Sequence, residues 1–251
     1  LVALDYGQID NAFATGSVSG YAQIGGLVGW QEGGAIDNAY ATGSAIGSFY
    51  TAGLVGYNDY GAISNAYATG YVNPGSPYSS NGAFVGEDVS GTYANVYYNS
   101  DTGGRSDAFA TGLTTAQLQG ALPSGLSAAA WATGPGLYPY LKSFFPNGAQ
   151  AISGVAADAS GAAAVGGSVA VYSGGKQLGT SGVGANGYYY VVTDAGAIGA
   201  TTGVGADLTL YGDANPSGVG YADTHALTDG NVTGLDVTTG RIDVTTGAAT
   251  D

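Results

Sequence analysis

The 251-residue chain is 45% apolar, but only 9% of it is charged, with 18 acidic residues against four basic ones and a formal net charge of -14. Four cations cannot neutralise a row of phosphates or grip an anionic membrane surface, so the composition argues against nucleic acid and direct membrane contact. Cysteine and methionine are both absent, which removes disulfides, thiolate metal sites and thiol nucleophiles together.

Residues 1–100 are built on two phrases. The first, "QIDNAFATGSV" from Gln8, returns as "AIDNAYATGSA" from Ala35 and "AISNAYATGYV" from Ala62, each step being 27 residues. The second, Gly26-Leu27-Val28-Gly29, returns as Gly53-Leu54-Val55-Gly56 and then as Ala83-Phe84-Val85-Gly86, a step lengthened to 30 by "NPGSPYSS" from Asn73. A half-copy, Asn95-Val96-Tyr97, keeps the 30-residue offset from Asn65. A catalytic residue is used once per domain, so a phrase returned at fixed spacing indicates architecture. A unit this short, made of Ala, Val, Ile, Tyr and Thr with Gly at its corners, cannot be a helix pair and predicts one coil of a β-solenoid. Coils stack at about 4.8 Å, so like residues form ladders up the stack.

Ile9, Ile36 and Ile63, with Leu27, Leu54 and Phe84, are the expected inward ladders, since one coil cannot bury its apolar face alone. Asn11, Asn38, Asn65 and Asn95 are expected to hydrogen-bond along the stack and satisfy a bend. The glycines flanking Leu-Val permit either a positive φ or a close backbone approach. Trp30 and Tyr57 follow the second phrase at one offset and, with Tyr60, form the candidate binding surface, because Trp and Tyr faces take sugars or proteins at low entropy cost. The same rings, with Tyr21, Phe49, Tyr50, Tyr71 and Tyr78, can equally serve to cover the corners of the coils.

"NAYATGSA" followed by "AGLVGYN" resembles the GLUG repeat of large bacterial surface proteins. These include filamentous-haemagglutinin-like exoproteins of two-partner secretion and the non-catalytic parts of certain immunoglobulin A peptidases. The resemblance implies an extracellular β-solenoid, usually a parallel β-helix, over residues 1–100.

Residues 101–149 read as the cap of that solenoid, because a last coil leaves open donors and acceptors that invite end-to-end pairing. Within them Thr114 and Gln117 have the spacing of a helix capping box, and Ala116, Leu118 and Leu122 could bury one face of a short helix. From Ala151 the repeat gives way to strand patterning. Val165, Val169 and Val171 share one parity, Gly174-Gly175 and Ala185-Asn186-Gly187 signal turns, and Tyr188 to Val192 read as another strand. Later strands are expected at Ala206 to Tyr211 and Asn231 to Val237, with a tail "VTTGRIDVTTG" that starts another array or completes an edge. Gly154, Asp158, Gly161 and Gly167 before Val169-Ala170-Val171, then Asn186-Gly187-Tyr188, resemble the carboxypeptidase-regulatory-like or transthyretin-like β-sandwich. The expected fold class is therefore all-β: a short β-solenoid over 1–100, its cap, and an Ig-like sandwich over 151–251.

Chemistry-bearing residues are sparse. His225 is the single histidine, which excludes a His-Glu-His metalloprotease motif; it reads as a surface-loop residue. Asp5, Asp10, Glu32, Asp37, Asp59, Glu87 and Asp88 are scattered, and the adjacent pair Glu87-Asp88 points to opposite faces of a strand, which disfavours a paired-carboxylate glycosidase. Asp213 and Asn215 are weak calcium candidates that read first as a turn, because the full ligand set is missing. No catalytic residue and no cofactor is predicted. The chain, lacking an initiator Met and a leader, reads as a piece of a longer protein. The expected function is non-enzymatic and extracellular: attachment to a protein or glycan on a cell surface, or assembly with copies of itself into a filament. The rival reading is an accessory region of a secreted peptidase or glycan-degrading enzyme.

Overall fold

The computed structural model describes residues 1–75, 80–199, 206–214, 218–226, 230–238 and 242–248, and among these one short helix interrupts an otherwise all-β chain. Each full coil contributes one strand to each of four parallel sheets. Sheet I holds Val2–Asp5, Val28–Glu32, Val55–Asp59 and Val85–Val89; sheet II holds Gln8–Ala14, Ala35–Ala41, Ala62–Ala68, Thr92–Asn99 and a short last strand, Thr111–Leu113. Two narrower sheets close the coil, one of Val18–Ser19, Ala45–Gly47 and Val72–Pro74, the other of Ala22–Gly25, Phe49–Ala52 and Asn81–Gly82. Ile9 lies opposite Ile36 and Ile36 opposite Ile63, while Val28, Val55 and Val85 stack likewise. Leu27, Leu54, Phe84, Ile36 and Ile63 fill one core cluster, with Ile9 at its edge. Burying each such side chain stabilises the stack by about 1.5–3 kcal/mol relative to exposing it.

Strict two-residue alternation would place Ile36 and Ala39 on opposite faces, yet both are fully buried. One asparagine per coil resolves the conflict. Asn11, Asn38, Asn65 and Asn95 adopt φ of 52°, 50°, 49° and 54°, the left-handed region that Asn tolerates better than other side chains. The inter-coil register skips them, so each acts as a bulge that reverses parity. Ala39 and Ala41 thereby join Ile36 in the core, and Tyr40 turns outward into a different cluster. In sheet I the register skips Gly29, Gly56 and Gly86 in the same way. These glycines answer to close approach and have no positive φ: a Cβ on Gly56 would lie 2.6 Å from the backbone of Gln23 and Ile24. Beyond them Gln31 and Asn58 are fully buried, whereas Trp30 and Tyr57 are half-exposed.

The stack is closed by residues 103–113. Gly103 and Ser106 carbonyl oxygens accept from Val72 and Ala83 amides, and Asp107 Oδ2 accepts from Phe84 and Val85 amides at 2.8 and 2.9 Å. Its other oxygen accepts from Phe109 and Ala110, so one carboxylate terminates two open donors of the last coil and holds its own turn. The chain then turns along the flank of sheet II. The helix Thr115–Gly120 is held by a full capping box between Thr114 and Gln117, with Leu118 buried. Ala116 is exposed instead of buried, because a helix of six residues offers only a narrow inner face. The hairpin Trp131–Gly134 and Leu137–Leu141 follows.

From Ala149 two sheets face each other. Ala149–Ala157 lies between Tyr188–Asp194 and Val237–Thr238; the second sheet runs Lys176–Gly182, Ser168–Ser173, Ala206–Ala214, Gly218–Ala226, Ile242–Ala248. Ile152, Val169, Val171, Tyr189, Val191 and Val237 form their shared core. Two expectations are corrected. Val165 precedes the Ser168–Ser173 strand and is 41% exposed. Asn231 to Asp236 are not a continuous strand, because Gly234 turns the chain at φ 70° and Asn231 spends its side chain on the Ala151 amide and the Pro135 carbonyl. The tail strand Ile242–Ala248 pairs in parallel with Gly218–Ala226 at the sheet edge.

Candidate functional site

The outward aromatic row of sheet II is covered by the rest of the chain, whereas Gln8, Asp10, Thr92 and Ala94 of the same sheet are exposed. Phe13 and Tyr40 stack at 5.0 Å, Tyr40 and Tyr67 at 5.1 Å, and the flanking segment lies over them. Trp131 packs 5.9 Å from both tyrosine rings, Phe144 meets Phe13 edge-on, and Tyr67 donates to the Pro139 carbonyl at 2.6 Å. Burial pushes the hydroxyls of Tyr40, Tyr67, Tyr138 and Tyr190 above their ordinary pKa. Those rings are packing, and so is the asparagine column beside them. Trp131 Nε1 donates to Asn38 Oδ1 at 3.0 Å. The rungs themselves are mixed: Asn95 donates to Asn65 at 2.9 Å, but Asn65 and Asn38 donate down to Asp37 and Asp10 at 2.7 and 3.3 Å.

A second polar column runs inside the corner between sheets I and II, where Asp5, Gln31, Asn58 and Asp88 stand in register. Asn58 Nδ2 lies 3.2 Å from the Gly61 carbonyl, 3.1 Å from Asp88 Oδ1 and 2.7 Å from the Tyr93 hydroxyl, while Asn58 Oδ1 accepts from the Gly61 amide. Tyr93 in turn donates to Asp88, and burial first, then that carboxylate, raises its pKa. At Asn58 the column satisfies both backbone groups of Gly61, whereas Gln31 Oε1 and Asp5 Oδ2 are buried without a hydrogen-bond partner.

Sheet I presents the other face. Leu4, Trp30, Tyr57 and Glu87 form one outward row, and Glu32 and Asp59 form the next. Trp30 meets Tyr57 edge-on at 5.7 Å and Tyr50 meets Tyr57 at 5.4 Å. The Tyr57 hydroxyl is raised from its ordinary pKa, first by desolvation and then by the charges of Asp59 and Glu87, with Tyr50 and Tyr60 contributing. Two carboxylates and three further rings thus converge on one tyrosine. Tyr60 sits at φ 58° in the adjoining turn and is 68% exposed; Tyr78 lies outside the described residues. Among the described residues no three His, Asp or Glu side chains gather as metal ligands. Asp213 falls in the strand Ala206–Ala214 and Asn215 lies outside the described residues. His225 is in the strand Gly218–Ala226, opposite Asp207, rather than in a loop.

Residues 20–46 and 47–73 match the GLUG motif. Each matched GLUG unit is one complete coil, running from the narrow sheets through the Gly-Leu-Val-Gly corner and the Asn bulge. No curated protein and no solved structure matches the chain. The GLUG coils are thus a structural repeat. Trp30, Tyr57 and Glu87 occupy one position of three successive coils, as do Gln31, Asn58 and Asp88. Sequence reasoning singled out Trp30, Tyr57 and Tyr60 but missed the contribution of Asp59, Glu87 and Tyr50, and missed the inner column altogether. The dipeptides Trp30-Gln31, Tyr57-Asn58 and Glu87-Asp88, which follow the Gly corner at one offset, mark Glu87 and the inner column as repeat positions, but which member of each faces outward depends on the parity reversal at the preceding Gly.

Proposed function

We propose that the chain is a non-enzymatic structural and adhesive segment of a larger secreted bacterial surface protein. The carrying observation is the division of its faces. The GLUG interior is packed with apolar ladders, the aromatic row of sheet II is covered by the chain's own Trp131 hairpin, and sheet I keeps an outward set of aromatic and acidic residues. Such a stack presents the side chains of successive coils as an extended surface, which suits attachment. The resemblance of the repeated phrases to filamentous-haemagglutinin-like exoproteins supports an extracellular setting, and the two facing sheets after Ala149 fit a transthyretin-like module of such a protein. The absence of Cys and Met from the sequence suits an oxidising exterior, where thiols and thioethers are liabilities.

Beads coated with the purified chain test this reading. They should gather cells or immobilised cell-surface material, and soluble chain should compete. Beads that gather nothing, or a catalytic turnover by the purified chain, would overturn it. Mass measurement over a concentration series separates a filament subunit, whose mass grows, from a receptor-binding module, whose mass does not.

A further inference from the structure

We infer that the outer face of sheet I is a docking strip for a cationic amino-sugar chain. The inference rests on the adhesive reading and names the partner of its open face. Trp30 and Tyr50 both meet Tyr57 edge-on, with ring centroids 5.7 and 5.4 Å away, so the three rings form one contiguous aromatic cluster that offers both faces and edges. Sugar rings offer C–H faces to such surfaces, and the aromatic quadrupole also attracts cations. The charges that raise the Tyr57 hydroxyl's pKa are Asp59 and Glu87, both negative. Glu32 extends the acidic row below Asp59. No Lys or Arg precedes Arg105 in the sequence, so these carboxylates are not neutralised from within the coils that carry them. A surface that is aromatic and negative at once complements a ligand that is apolar on its faces and positive on its substituents.

The spacing favours a polymer. Trp30, Tyr57 and Glu87 rise one coil at a time, about 4.8 Å per step, close to the length of one pyranose unit in an extended β-linked chain. Successive sugar rings therefore meet Trp30, then Tyr57, with amino groups reaching Asp59 and Glu87. A neutral acetylated sugar would use the rings and leave the carboxylates without a positive partner. An anionic glycan would be repelled.

The probe is a β-1,4-linked glucosamine oligomer, titrated into the full chain at mildly acidic pH where its amines are protonated. The chain has two tryptophans, and Trp131 is fully buried, so a change in emission on binding reports Trp30. Binding is expected, weakened about tenfold by the double variant Asp59→Asn, Glu87→Gln and weakened also by added salt, as screened charge pairs require. Neither side chain is part of the core, and an unchanged melting temperature will show that the variant is folded. The N-acetylated oligomer should bind at least tenfold more weakly. Equal binding of the acetylated oligomer, equal binding of oligolysine, or an unaffected double variant would each overturn the inference. Coated beads that gather cells while the glucosamine oligomer fails to bind would overturn this inference and leave the adhesive reading standing; beads that gather no cells would overturn the adhesive reading itself.

Discussion

The three glycines of the repeated Ala-Thr-Gly phrase offer a controlled test of how the coils are held together. Gly16, Gly43 and Gly70 occupy the same position of successive coils, and none has a positive φ. A Cβ on Gly43 would fall 2.0 Å from the Gly16 carbonyl oxygen, and one on Gly70 would fall 1.9 Å from the Gly43 carbonyl oxygen. A Cβ on Gly16 would meet nothing within 4 Å. Relieving either clash requires the coils to part locally by roughly 1.5 Å, since carbon and oxygen settle no closer than about 3.3–3.6 Å. That parting stretches the two inter-coil hydrogen bonds flanking each site. At Gly43 these run from Thr42 to Ala14 at 2.9 Å and from Val18 to Ser44 at 2.8 Å; at Gly70 they run from Thr69 to Ala41 and from Ala45 to Tyr71 at the same lengths. Losing two such bonds costs about 1–3 kcal/mol, and strain in the neighbouring coil adds to this. Gly43→Ala and Gly70→Ala should therefore each destabilise by about 2–4 kcal/mol. Gly16→Ala should be neutral or stabilise slightly, by up to about 1 kcal/mol through the unfolded chain. Urea midpoints at unchanged slope measure all three. If Gly16→Ala destabilises as much as the other two, glycine is required by the turn itself and the close-approach argument is wrong.

Three further outcomes are expected. Asn38→Ala should destabilise by about 1–3 kcal/mol, from the positive φ and the lost Trp131 partner, whereas Asn38→Gly should recover the backbone part, as thermal unfolding of the pair will show. Trp131→Ala should cost about 3–5 kcal/mol and expose the Tyr40 and Tyr67 rings, read as faster amide exchange and proteolysis in residues 114–145. Buried tyrosines set an alkaline limit. Tyr40, Tyr67, Tyr138 and Tyr190 have folded pKa values raised above 10.0 by burial, so their contribution is complete below pH 10.0 and is lost as pH rises above it. Stability should be level with respect to these groups up to that point and fall beyond it, with tyrosinate absorbance appearing together with unfolding.

Much of the solenoid was legible because its information is local and repeated. Ile9, Ile36 and Ile63 return at one spacing, and stacking like on like is the one arrangement that buries all of them. The capping box at Thr114 and Gln117 was legible for the same reason, since its partners lie three residues apart. The candidate site was legible only in part. Trp30 and Tyr57 stand out by residue type, but an acidic residue such as Glu87 carries no mark of its face until the parity reversal at Gly86 is known. The extended strand expected at Asn231 to Val237 gave way because Gly234 and two side-chain hydrogen bonds compete with the ladder.

By itself the sequence determines the coil: its length, its corner glycines, the apolar residues that must stack and the absence of chemistry that needs thiols or a histidine cluster. The tertiary structure alone decides which side of that coil is left open. Tyr40 and Tyr57 are both outward tyrosines at repeat positions, yet Tyr40 is 1% exposed and Tyr57 is half-exposed. The difference is made by Trp131, which lies 93 positions beyond the Asn38 that it contacts. A periodic pattern specifies what each coil shares with the next, and burial by a segment so distant in the chain breaks that equivalence without leaving any trace in the period.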